Sequence, residues 1–199
     1  MTPLYKLFFY KTEICLKKNC CIGWSVRVWL FSLFALKMRD IPARIEALTE
    51  KKLVGKKALM SFAQNKTFEL WKSFMPRRKE VKDMLGANLY SVEVYDADFF
   101  NPFRPETEFE KWAAVEVNSF RDIPVGMEKM IVPAGLYAVF LHRGPASEGP
   151  ETYQYIFENW LPQSEYLIDH RPHFAVMGEK YKRNAPDSEE EIWIPVRHK

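Results

Sequence analysis

Carboxylates and large aromatic rings recur side by side in this sequence, on segments that read as strands. In Glu190 to Val196, Ile192, Ile194 and Val196 face one way, while Glu191 and Trp193 face the other. Trp112, Ala114 and Glu116 share a face of an earlier strand, as do Ser91, Glu93 and Tyr95, and a strand from His173 to Tyr181 would align Ala175, Met177, Glu179 and Tyr181. Rings offer apolar area and attraction for a cation, and a carboxylate supplies counter-charge, so the combination suits an organic cation or a flat aromatic molecule. Acids alternating with apolar residues are also the usual solvated face of a half-buried sheet, and the pattern alone leaves both readings open.

Other chemistry finds less support. His170 and His173 have the spacing of a metal pair, but no Cys or acid nearby completes a ligand set, and surface histidines fit better. No G-x-S-x-G, P-loop, G-x-G-x-x-G or H-E-x-x-H is present, and no cofactor is expected. All three cysteines, Cys15, Cys20 and Cys21, lie in the first 37 residues, so thiolate catalysis is excluded from the remainder. A cysteine-free body suits a reducing, cytoplasmic setting.

The elements that must hold these residues begin near Leu48. Leu53–Phe62 reads as a strand with a bulge at Gly55. A helix then starts at Asn65-Lys66-Thr67 and carries Phe68, Trp71, Phe74 and Met75 at three- and four-residue spacing. Pro76 either kinks it or opens a second segment. Strands follow at Leu89–Tyr95 and Trp112–Val117, separated by a long aromatic loop, Phe99–Glu108, of the kind that covers something. Met127–Ile131 and Leu136–His142 are strands. Pro150 opens a second helix with Tyr153, Ile156, Phe157, Trp160 and Leu161 as its apolar stripe, ended by Pro162. The order strand, helix, strand, strand thus occurs twice, over 53–117 and 136–196. It predicts an α+β protein: duplicated βαββ units forming an antiparallel sheet, both helices on one face, a ligand groove between the halves.

Of 199 residues, 47% are hydrophobic and 28% charged, enough apolar surface to exclude global disorder. Residues 1–37 carry six Lys/Arg against Glu13; that leaves 23 basic and 25 acidic side chains in 38–199, a balance of −2. The body therefore lacks the basic excess that a phosphate backbone requires, and no direct nucleic-acid contact is expected. Residues 1–37 read as a separate extension. The apolar run Cys20–Leu36 is broken by Arg27, and it is open whether the segment is an upstream extension of a frame starting at Met38, a membrane anchor or an accessory helix. Residues 38–199 form the second unit, expected to be free of membrane and a monomer or homodimer.

Several short motifs in order carry a resemblance: Trp71-Lys72-Ser73-Phe74-Met75-Pro76-Arg77-Arg78, Gly126-Met127-Glu128, Ile131-Val132-Pro133-Ala134-Gly135-Leu136-Tyr137-Ala138-Val139-Phe140, His142-Arg143-Gly144, Trp160-Leu161-Pro162-Gln163-Ser164 and Ser188-Glu189-Glu190-Glu191-Ile192-Trp193-Ile194-Pro195. Together they resemble the gyrase-inhibitor-like (GyrI-like) small-molecule-binding domain, also the effector-binding domain of some AraC- and MerR-type transcription regulators. The resemblance implies a duplicated βαββ fold with a pocket between the halves, and an acid near the end of the domain that meets cationic or lipophilic ligands. Glu191 with Trp193 matches that position, and Glu179 matches it less well. Trp71, Phe74, Tyr90, Trp112, Tyr137 and Trp193 are expected to wall the cavity. Residues 1–47 show no helix-turn-helix pattern, so the expectation is a stand-alone binder of lipophilic or cationic aromatic molecules. Two alternatives remain: a hydrolase of electrophilic small molecules with Glu191 as general base, and a modulator of a partner protein.

Overall fold

The computed structural model describes residues 41–199, and the readings for 1–37 lie outside them. The strands are β1 (Ala43–Leu48), β2 (Lys51–Met60), β3 (Leu89–Val94), β4 (Phe109–Glu116), β5 (Glu128–Val132), β6 (Gly135–Arg143), β7 (Tyr166–Ile168), β8 (His173–Met177) and β9 (Glu189–His198). Helix α1 spans Thr67–Phe74 and α2 spans Gly149–Tyr155. The strands lie in the order β5-β2-β4-β3-β8-β9-β6-β1, with β7 paired to the end of β9.

Every pairing is antiparallel, and the two βαββ repeats meet where β3 lies against β8, from Leu89↔Met177 to Glu93↔His173. The strand ahead of each repeat crosses to the other: β1 pairs with β6 and β5 with β2. The β1 pairing extends the fold to residues where no strand was expected. Gly55 makes no bulge, because the β2–β4 register runs unbroken from Leu53↔Glu116 to Met60↔Phe109. It is required by close approach instead: a Cβ there would lie 2.2 Å from the Ala113 carbonyl oxygen.

Alternation along the strands divides the core between two faces. One carries the helices. Under α1, Val54, Ala113, Val115 and Val117 meet Leu70 and Phe74; beyond the end of α2, Ala138, Phe140, Ile192, Ile194 and Val196 meet Ile156. The Asn65 side-chain oxygen accepts the Thr67 N–H at 2.9 Å where α1 begins. Pro76 opens a separate 3-10 segment, Met75–Glu80, resolving the two possibilities at that residue. α2 runs on through a π turn, Ile156–Trp160, and a last turn, Leu161–Gln163, that contains Pro162, so that proline does not end the helical path. Trp160 sets its ring edge-on to Phe140 at 5.0 Å.

The long loop between β3 and β4 packs on the helix side. Phe99, Phe100 and Phe103 join Met60, Phe62, Tyr95 and Phe109 in an aromatic cluster. Beside it lie the buried Lys111–Glu93 ion pair and His173, whose ring stacks on Phe100 and Phe157. The opposite face of the sheet carries Leu53, Tyr90, Val92, Trp112, Ala114, Tyr137, Val139, Phe174 and Trp193.

Candidate functional site

That helix-free face includes the seam of the two repeats. A cavity of about 340 Å³ opens there, lined by Glu46, Leu48 and Thr49 from β1 and its turn, Lys51 from β2, Asn88 and Tyr90 at β3, Val176 from β8, and Glu191 and Trp193 from β9. Both repeats and one exchanged strand are needed to enclose it.

Its aromatic walls are Tyr90 and Trp193, backed by buried rings. The Trp193 indole stacks on Phe174 with centroids 5.4 Å apart and planes 15° off parallel. Tyr137 touches both, at 6.0 Å from Trp193 and 5.3 Å from Phe174, and Tyr90 stands 6.2 Å from Phe174. Burial pushes the Tyr137 phenol up to about 12, despite the Arg171 guanidinium 4.7 Å from its ring centre.

Of the carboxylates on this face, Glu116 and Glu191 are both engaged. Glu116 accepts a 2.5 Å hydrogen bond from the Tyr90 hydroxyl and pairs with Lys51 at 2.9 Å. Burial first, and the Glu116 hydrogen bond second, raise the Tyr90 phenol well above its ordinary value, so it stays a donor. Glu191 accepts the Trp193 indole N–H at 3.1 Å on one oxygen and the Arg44 guanidinium at 2.6 Å on the other. Arg44 comes from β1, also bonds Glu46, and lies 5.9 Å from the Trp193 ring centre. The result is a polarisable aromatic wall bordered by polar and charged side chains, its carboxylates held by cations of the chain itself. Among the described residues no group of three or more His, Cys, Asp or Glu could hold a metal ion, and no helix is long and apolar enough to cross a membrane.

Of the residues singled out in the sequence, Tyr90, Glu191 and Trp193 line the cavity, and Tyr137 packs on Trp193 as a fully buried ring behind the wall, outside the lining itself. Trp112 shares the face and the apolar cluster but is not part of the cavity wall. Trp71 and Phe74 pack on the other side of the sheet, against Val54, Ala113 and Val115, which corrects the expectation that they wall the cavity: α1 buries Leu70 and Phe74 in ordinary core with Trp71 partly buried beside them, while Phe68 and Met75 of the expected stripe are exposed. Glu179 is corrected too. β8 ends at Met177, Gly178 breaks the alternation, and Glu179 is exposed in a turn. Sequence reading missed Phe174, Arg44 and Lys51, and placed Glu116 on this face without its partners Lys51 and Tyr90. Phe174 and Val176 are the alternates of the positions aligned with Glu179, so the other face of the same strand held the signal.

Residues 42–197 match the family described as the GyrI-like small molecule binding domain. The chain belongs to that family. A transcriptional regulator of Pseudomonas aeruginosa, BrlR, is 27% identical to this GyrI-like chain over 168 residues, covering 84% of the chain and 60% of BrlR. The chain thus spans less than two thirds of that relative. Among solved structures, SAV2435 bound to tetraphenylphosphonium is similar with a TM-score of 0.60 at 16% identity, covering 78% of this chain and 94% of that one. The C-terminal domain of EcmrR gives a TM-score of 0.60 at 18% identity, covering 81% of this chain and all of that domain. At these identities the likeness is one of fold, and it bears out the duplicated α+β architecture of the GyrI-like domain.

Proposed function

We propose that this GyrI-like domain binds lipophilic organic cations with aromatic groups, in the cavity between the repeats. The observation that carries the reading is the Trp193 indole, stacked on Phe174 and tied by its N–H to the Glu191 carboxylate at the cavity's edge. Rings there supply apolar contact and cation–π attraction, and Glu191 supplies counter-charge in a partly dry setting. SAV2435, solved with tetraphenylphosphonium, supports the ligand class, and the likeness to BrlR, a transcriptional regulator, supports a role connected with regulation. The −2 balance of residues 38–199 favours a small molecule over a phosphate backbone as the partner of this unit.

The test is a calorimetric titration with tetraphenylphosphonium and, in parallel, a fluorescence titration with the neutral dye Nile red. Glu191→Gln keeps the side-chain shape and removes its charge. Its side chain is 35% exposed, so the cost lies near the low end for a charge-assisted contact, about tenfold in affinity for the cation. Nile red should bind both proteins alike. Equal tetraphenylphosphonium affinity in the two proteins would refute the reading.

A further inference from the structure

The cation place on Glu191 is already filled. Arg44 reaches across β6 to Glu191: its register partner there is Val139, which in turn pairs with Trp193. Its guanidinium meets Glu191 at 2.6 Å and lies 5.9 Å from the Trp193 ring centre, contacts that an organic cation in the cavity would itself make. Its second carboxylate, Glu46, is two residues along the same strand. Arg44 can therefore surrender Glu191 without losing all counter-charge, and with its side chain 45% exposed it leaves little packing behind.

The first repeat shows the same construction. Glu110 stands two residues before Trp112 and accepts its indole N–H at 3.1 Å. Lys57 bonds Glu110 at 3.0 Å, reaches Glu128 at 3.3 Å, and lies 5.5 Å from the Trp112 ring centre. Here the cation comes from β2, directly beside Trp112 in register, and neither Lys57 nor Trp112 lines the cavity. Glu-x-Trp on a strand is thus a cation receptor in both repeats, and in the second it borders the cavity.

We propose that Arg44 is the charge selector of the cavity, an internal stand-in for the ligand's cation that entering ligands must displace from Glu191. This rests on the cavity being the ligand site. Arg44 then sets a threshold: a ligand binds well only when its cation and aromatic surface together outcompete the guanidinium, whereas neutral aromatics are indifferent to it. Because the pair is partly exposed, the competition is worth several-fold and not several orders of magnitude.

Arg44→Gln, Arg44→Lys and, as a control, Lys57→Gln are titrated with tetraphenylphosphonium and Nile red, with thermal melts to confirm folding. Arg44→Gln should strengthen tetraphenylphosphonium about three- to tenfold and leave Nile red unchanged. Arg44→Lys should stay near the parent protein, and Lys57→Gln should change neither ligand. The gain should fall below about twofold in the Glu191→Gln background, because no carboxylate is then freed. An unchanged or weaker affinity in Arg44→Gln overturns the proposal, as does an equal gain in both backgrounds, which would mark simple long-range repulsion. If Glu191→Gln weakens the cation but Arg44→Gln does nothing, the selector falls and the ligand site stands. If neither the parent nor Arg44→Gln binds the cation, both fall.

Discussion

His173 should make this protein sensitive to mild acid. Its ring is buried on the helix side of β8, stacked on Phe100 and Phe157 and edge-on to Tyr95 at 5.1 Å. Burial lowers its pKa from 6.5 to about 3, and its register partner Glu93 is already neutralised by Lys111. Below pH 6.5 the unfolded chain binds a proton that the folded chain refuses, so stability falls as pH falls, down to about pH 3, where the folded form also protonates. At about 1.4 kcal/mol per unit, the loss between pH 7 and pH 5 is roughly 2 kcal/mol. Urea unfolding of the parent and of His173→Phe at pH 7, 6 and 5 measures it, because the variant keeps every other titrating group. The parent should lose about 2 kcal/mol more than the variant over that range. Parallel curves would show that His173 accepts a proton inside the fold, and would refute the argument from burial.

Two further outcomes follow from buried features of the same fold. Lys111→Met leaves the Glu93 carboxylate, whose second oxygen already lacks a hydrogen bond, buried without its cation. It should cost about 3–5 kcal/mol in urea unfolding at pH 7. Gly135 has φ +151°, and a Cβ there would lie 2.0 Å from an Arg171 guanidinium nitrogen, which the Leu136 and Val196 carbonyls hold in place through its neighbour. Gly135→Ala should therefore lose about 1–3 kcal/mol, read as a lowered thermal midpoint.

What the sequence disclosed depended on whether the governing signal was local. The repeat of strand, helix, strand, strand was legible because periodicity changes between 2 and 3.6 within a few residues at each boundary. Glu191 and Trp193 were legible because Ile192, Ile194 and Val196 fix the buried side of β9, leaving one direction for the other pair. The stripe of Trp71 and Phe74 was equally visible, yet periodicity shows only that a helix buries a face and not which layer receives it; α1 covers the sheet side away from the cavity. Arg44 was hidden for a different reason. Its role depends on β1 pairing with β6, some 90 residues distant, and no local pattern in Ala43–Leu48 announces that partner. Glu116 was seen on the right face of β4, but its bonds to Lys51 and Tyr90 come from two other strands.

The exchange of leading strands has a mechanical corollary. β1 belongs to the sheet of the second repeat and β5 to that of the first, so the repeats are cross-laced, each completing the other's outer edge. A hinge that swung them apart would have to tear strands from both flanks as well as the central β3–β8 seam. Admission to the cavity therefore falls to its side chains and not to a jaw-like parting of the two lobes. The same lacing means that a cut in the peptide between Val117 and Met127 would leave two fragments, each still carrying a strand inserted in the other, a topology suited to reassembly from separately produced pieces.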